Sequence, residues 1–278
     1  MAVNLLDLIV STFLHIVLAH SSQAFDWLAL YVWIINDYSV DSLITKSLVF
    51  MPLIRFIGDA IQEIGTVIDP VGYGPNLWAG PFWFGGEIIG DIYLPALALG
   101  MSQKGEIFNK VLVCIGYGSL AGSKIANCTW RFVSYFMKWP IETLFIGASR
   151  IDSITCIAGV INDLACCYVI YRKSSTVSTK ISKSAAAAQS PLSKALKHLK
   201  GSCAARVLVM TIFKIITAIF IFSNPCEGMT CVYEFLRWIT ITIEYQLYYF
   251  DYLLTKNCRA PQRDSTVSKA ISVKPIDK

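Results

Sequence analysis

Charge is scarce in this chain. Asp, Glu, Lys and Arg make up 15% of the residues, where a soluble domain carries about 25%. Hydrophobic residues reach 55%, and the mean hydropathy is +0.54. That composition cannot clothe a water-facing globule, so a soluble domain is excluded and much of the chain must face lipid or other buried helices. Histidine is scarcer still: His15, His20 and His198 stand far apart. None of the nine cysteines forms a C-x-x-C pair, and Cys166 and Cys167 are adjacent. A zinc site therefore has no ligand spacing to build on, and no metal or cofactor is expected. The phosphate-binding loop, the G-x-S-x-G nucleophile elbow and H-E-x-x-H are all missing, and no internal repeat is visible. With no catalytic constellation, no enzymatic activity is expected.

What the chain does contain is a series of long apolar runs. At about 20 residues per span, 278 residues accommodate six or seven spans with short loops. Residues 3–19 are the first run, either a span or the apolar part of a signal peptide ending near Ser22-Gln23-Ala24. No Lys or Arg precedes this run and Asp7 interrupts it, which favours a retained segment. Residues 25–35 and 43–57 are also apolar. Residues 59–76, punctuated by Gly65, Asp69-Pro70, Gly72 and Gly74-Pro75, read as a loop. Spans are expected at about 77–100, 107–126, 151–171, 204–223 and 232–254, with 127–145 as a loop or interfacial segment. The expected fold class is all-α: a polytopic transmembrane helix bundle of six core spans, seven with the N-terminal run. Three regions follow: hydrophobic segments over 1–58, the bundle over 59–255, and a disordered basic tail over 256–278.

Charge sets the expected orientation. Between 172 and 206 stand Arg172, Lys173, Lys180, Lys183, Lys194, Lys197, Lys200 and Arg206, with no acid among them. Such an excess marks a cytoplasmic loop, taken here as 172–203, and the basic C-terminal tail falls on the same side. The acidic 59–76 segment then lies outside. The basic charge is a topology signal and not a nucleic-acid footprint. Its expected partner is the bilayer itself, with anionic headgroups at the basic loop. Homo- or hetero-oligomers are compatible with the sequence.

Several residues stand out within the spans. Glu87 and Asp91 are four apart and share a helix face. Intramembrane carboxylates are costly, and they either bind a cation, a proton or a headgroup or belong to a structural polar cluster. Lys214 sits near the middle of its span and needs a partner, for which Asp163 and Glu244 are the candidates on neighbouring spans. Gly86-x-x-x-Gly90 and Gly118-x-x-x-Gly122 are expected to let helices pack closely. Cys226 and Cys231 share a short outside loop and are candidates for a disulfide. Cys203 and Cys258, beside basic residues, are either plain thiols or palmitoylation sites. Asn127-Cys128-Thr129 fits the glycosylation sequon, but so close to a span that it is expected to stay unused.

The order of these features resembles the DRAM family, the damage-regulated autophagy modulators, six-span proteins related to GPI-anchor lipid-remodelling regulators. The resemblance lies in Asp69-Pro-Val-Gly-Tyr-Gly-Pro75 before a glycine-spotted span. It continues in Ile107-Phe108-Asn109 with Val111, Gly116, Gly122 and Ile125. It includes Gly159-Val160-Ile161 with Leu164 and Tyr171-Arg172-Lys173, and the aromatic stretch from Glu234 to Asp251 with Glu244-Tyr245. It covers about residues 59–255 and implies a non-enzymatic regulator of autophagy or membrane-lipid organisation in the lysosome, another endomembrane or the plasma membrane. The family's histidine before the fourth span is absent here. A different class of function, a small channel or transporter, is suggested by Glu87, Asp91, Lys214 and Glu244 alone.

Overall fold

In a computed structural model, the described residues are 43–68, 74–102, 105–181, 191–224, 237 and 239–248, and they are helical throughout apart from short turns. The helices are α1 (Leu43–Ile68), α2 (Gly74–Asp91), α3 (Tyr93–Met101), α4 (Ile107–Phe136), α5 (Ile141–Ile181), α6 (Pro191–Ala205) and α7 (Thr211–Ser223). A π-helical turn, Arg206–Met210, joins α6 to α7. Residues 239–248 form a last helical stretch.

Four segments are long and apolar enough to cross a membrane: Leu77–Met101, Ile107–Phe136, Ile141–Thr179 and Leu196–Ser223. This fits an integral membrane protein. The expected count of six is thus met by four among the described residues. α1, which carries Lys46, Arg55, Asp59 and Glu63, is not one of the four. The expected span over 3–19, the Cys226–Cys231 disulfide, Cys258 and the basic tail lie outside the described residues.

The helices are longer than the sequence suggests. The expected loop over 59–76 is helical up to Ile68 and again from Gly74, where Asp59 accepts a hydrogen bond from the Trp83 indole at 2.8 Å. The expected loop over 127–145 is mostly helix too. α4 runs to Phe136, the chain turns at Met137–Pro140 with Lys138 at a φ of 54°, and α5 begins at Ile141. Its polar residues look loop-like but turn inward: the Trp130 indole donates to the Leu144 carbonyl at 3.2 Å. The basic loop is helical at both ends, through Ile181 and from Pro191. Here Thr176 and Thr179 hydroxyls donate to carbonyls one turn back, and Leu196, Leu199 and Cys203 bury one face of α6. Cys203 is buried on that face, which fits the plain-thiol reading.

At 41 residues, α5 is about 60 Å long, twice the roughly 30 Å hydrocarbon core, so it projects beyond the bilayer. α4 and α5 pair as an antiparallel hairpin. Glu106 at the start of α4 meets Lys173 near the far end of α5 in an ion pair.

The interior is layered. At one end an apolar cluster gathers Leu94 and Ala98 of α3, Val113 of α4, Cys166, Cys167, Val169 and Ile170 of α5 and Leu199 and Cys203 of α6. At the other end Leu77, Leu144 and Phe145 pack with Phe132. The segments between these layers hold the charged residues. The outer faces are apolar: Ile107, Phe108 and Ile115 on α4, Ile154 and Leu164 on α5, and Ile212, Ile219 and Phe222 on α7 are all exposed. Polar inside and apolar outside is the distribution a lipid solvent demands.

Candidate functional site: a buried ionic layer

Among the described residues, five cations (Arg55, Lys124, Arg206, Lys214, Arg237) and five carboxylates (Glu87, Asp91, Asp152, Asp163, Glu244) are buried. In an apolar surrounding each needs a counter-charge and hydrogen bonds, and the helices supply them across the bundle.

One group centres on Glu87. Lys124 of α4 reaches Asp91 at 2.6 Å and Glu87 at 3.2 Å. The same Glu87 carboxylate meets Arg237 at 3.4 Å and Arg55 of α1 at 3.9 Å. The Tyr245 hydroxyl donates to the Glu87 carbonyl at 3.1 Å and lies 3.5 Å from Asp91. Glu87 and Asp91 thus share a face, as their spacing predicts, and four helical segments converge on them. The approach depends on glycine. A Cβ on Gly86 would sit 2.7 Å from Arg55 Cγ and 3.1 Å from the Met51 carbonyl, and one on Gly90 would sit 2.8 Å from Tyr245 and 2.9 Å from Met51.

The second glycine pair does not act this way. Gly118 and Gly122 are exposed, and a Cβ on either would meet nothing within 4 Å. Their stripe is on the outer face of α4. The close-approach glycine of α4 is Gly116, whose Cβ would lie 3.0 Å from Asn162 Cα.

A second group centres on Lys214. Its ammonium is 2.7 Å from Asp163 of α5 and 2.7 Å from Glu244, so both expected partners are bound together. Tyr248 donates to the same Glu244 oxygen at 2.8 Å. Arg206 lies over the Tyr248 ring, 4.6 Å from its centroid. Residues 206 and 214 are eight apart, which in a regular α-helix puts them about 80° around the axis. The π turn absorbs about one extra residue and brings them to within about 20°. Two cations on one inward face follow from that turn.

The third group has no counterpart in the sequence reading. Asp152 accepts from Arg237 Nε at 3.0 Å and from Asn127 at 2.8 Å, and Arg131 stands 3.5 Å from its other oxygen. Asn127 also accepts from Arg131 Nε at 2.7 Å. Its amide is thus fully buried and committed, which is why the sequon is a structural element. Lys124, Asp152 and Arg237 escaped notice because each lies toward one end of an expected span, where charge reads as interfacial. Arg131 falls in the expected 127–145 loop, and Arg55 and Arg206 read only as charge in the 43–57 run and the basic loop. Lys124 carried the clearest signal, a lysine in an apolar run like Lys214.

Arg237 ties Glu87 to Asp152, and a small cavity lies between the first and second groups. Its volume is about 30 Å³, and Glu87, Asp91, Lys124, Lys214, Arg237 and Glu244 line it with Thr155, Cys156 and Thr240. That is room for about two water molecules. Asp91 and Lys124 are near the middle of their candidate spans, as is Gly159 in the cavity wall. No group of His, Cys, Asp or Glu among the described residues is arranged to hold a metal ion. The chain matches no protein-family model, no curated protein and no solved structure.

Proposed function

We propose that this chain is a multi-pass membrane protein that passes a small polar or charged species across the bilayer through its ionic layer. The observation that carries this reading is the cavity, walled at mid-span by three carboxylates and three cations. Ionisable groups at that depth are expensive, and they mark substrate and ion paths when they surround space for water. The six-span bundle belongs to the same proposal. α1 packs on α2 and α3, and residues 239–248 bring Glu244, Tyr245 and Tyr248 into the core, which supports counting both as spans. Purified full-length protein in liposomes, assayed for flux of protons, sodium, potassium and chloride, tests the reading. Absence of all four fluxes from folded protein would overturn it.

A second reading draws on the basic end of the bundle. Arg172, Lys194 and Lys197 are exposed there, and Lys200 lies over the Tyr171 ring at 5.7 Å. This is a surface suited to anionic headgroups, each near-surface cation contributing about 1 kcal/mol. It supports a non-enzymatic regulator bound to the cytoplasmic leaflet of a lysosomal, other endomembrane or plasma membrane, as the DRAM resemblance implies, with 172–203 and the C-terminus cytoplasmic. Labelling of single cysteines in sealed vesicles tests the orientation. Normal autophagic flux and normal surface levels of GPI-anchored proteins after loss of the gene would count against the regulator.

A further inference from the structure

We infer that the species passed by the ionic layer is the proton, transferred between Asp91 and Glu244 through water in the cavity. The inference rests on the transport reading and names its substrate.

Three observations lead there. The first is size: about 30 Å³ holds about two waters, enough to bridge two carboxylates on its wall. The second is the sign of the wall. Lys124, Lys214 and Arg237 oppose a free cation and Glu87, Asp91 and Glu244 oppose a free anion, whereas a proton is carried as a covalent O–H on a carboxylate already present. The third is that Asp91 and Glu244 belong to different ion groups yet border the same space. Asp91 faces Glu87, Lys124 and Tyr245. Glu244 faces Asp163, Arg206, Lys214 and Tyr248. Each carboxylate thus has a resident cation to hold it in place while its proton is exchanged.

The step balances as follows. The O–H bond of protonated Asp91 breaks and its proton joins a cavity water. That water gives up one of its own protons to the Glu244 carboxylate, where a new O–H bond forms. Asp91 ends as the carboxylate, Glu244 as the acid, and the water is restored. Beyond Glu244, Lys214 joins the carboxylate to Asp163. One Asp163 oxygen, the Asn162 amide nitrogen and the Thr217 hydroxyl are buried without a protein hydrogen-bond partner, and these are groups that ordered water satisfies.

The test uses full-length protein in liposomes loaded with a pH-sensitive dye, under an imposed potassium-valinomycin potential. Sodium and chloride uptake are followed by isotope, and potassium uptake in parallel vesicles without valinomycin. The expected result is a change of internal pH without uptake of the three ions. It should fall to the protein-free level in Asp91→Asn and Glu244→Gln and be kept in Glu142→Gln, whose carboxylate is on the exposed first turn of α5. Because the two variants remove buried partners, Thr155→Leu is the companion: it fills the cavity wall without altering charge and should also stop the pH change. Each variant is first shown to be monodisperse and helical. Proton flux that persists in folded Asp91→Asn, Glu244→Gln or Thr155→Leu overturns the inference. Uptake of sodium, potassium or chloride without proton flux overturns it and leaves the transport reading standing. No flux of any kind overturns both.

Discussion

Gly159 leaves the space in which Lys214 lies. A Cβ at position 159 would stand 3.2 Å from the lysine Nζ and 3.5 Å from its Cδ and Cε, so the missing side chain on α5 sets how deeply the α7 ammonium reaches between Asp163 and Glu244. Gly159→Ala should be tolerated, because the tip of a lysine can shift by a few tenths of an ångström. Gly159→Val should displace the ammonium and lower stability by about 3 kcal/mol, the scale of breaking a buried pair. Thermal unfolding in detergent, followed by tryptophan fluorescence, separates the two. Equal midpoints would mean that Lys214 does not need the gap.

Lys214→Met alone leaves Asp163 and Glu244 without their common cation and should cost about 3–5 kcal/mol. The triple variant Lys214→Met/Asp163→Asn/Glu244→Gln removes the charges together and should recover part of that loss. The same unfolding assay reads both. A triple variant no more stable than the single one would contradict the ion-pair account.

Asn127 holds Asp152 and Arg131 at once. Asn127→Ala should cost about 1–3 kcal/mol for the unsatisfied buried groups it leaves. The sequon should also carry no sugar when the protein is made in glycosylating cells. An unchanged gel mobility after enzymatic deglycosylation is the expected outcome.

Gly116 and Gly118 make an internal control on one helix. Gly116→Leu drives a side chain into the α5 backbone and should cost at least about 1–3 kcal/mol, the usual range for overpacking. Gly118→Leu points into open space and should leave the unfolding midpoint close to that of the parent. If both substitutions act alike, α4 is rotated relative to the arrangement described.

Much of this was legible in the residues. The helical character follows from runs of apolar residues with few charges. The Lys214 partners follow from the expense of an isolated ammonium at mid-span, which leaves only acids on neighbouring helices as solutions. Helix length was harder. Asn127, Arg131 and Trp130 look like loop residues because their partners, Asp152 and the Leu144 carbonyl, are supplied by another helix. Local polarity has the same appearance whether water or a facing helix satisfies it. The second glycine motif failed for a similar reason: Gly118-x-x-x-Gly122 has the spacing of Gly86-x-x-x-Gly90, which does pack closely, but opposite surroundings, and spacing does not say which face a neighbour occupies. The π turn has no mark in the sequence except the two four-residue steps from Arg206 to Met210 to Lys214, all three of them buried.

The equality of buried positive and negative groups has an electrical consequence. Among the described residues the buried ionisable groups number five of each sign, so with all of them charged that set is neutral as a body, and a membrane voltage exerts no net force on it. A single added proton ends that indifference. The core then carries one unit of charge, for which full passage through 100 mV is worth about 2.3 kcal/mol. An ionic layer that is insensitive to voltage at rest would, if it carries the proton as proposed, feel the potential only while loaded.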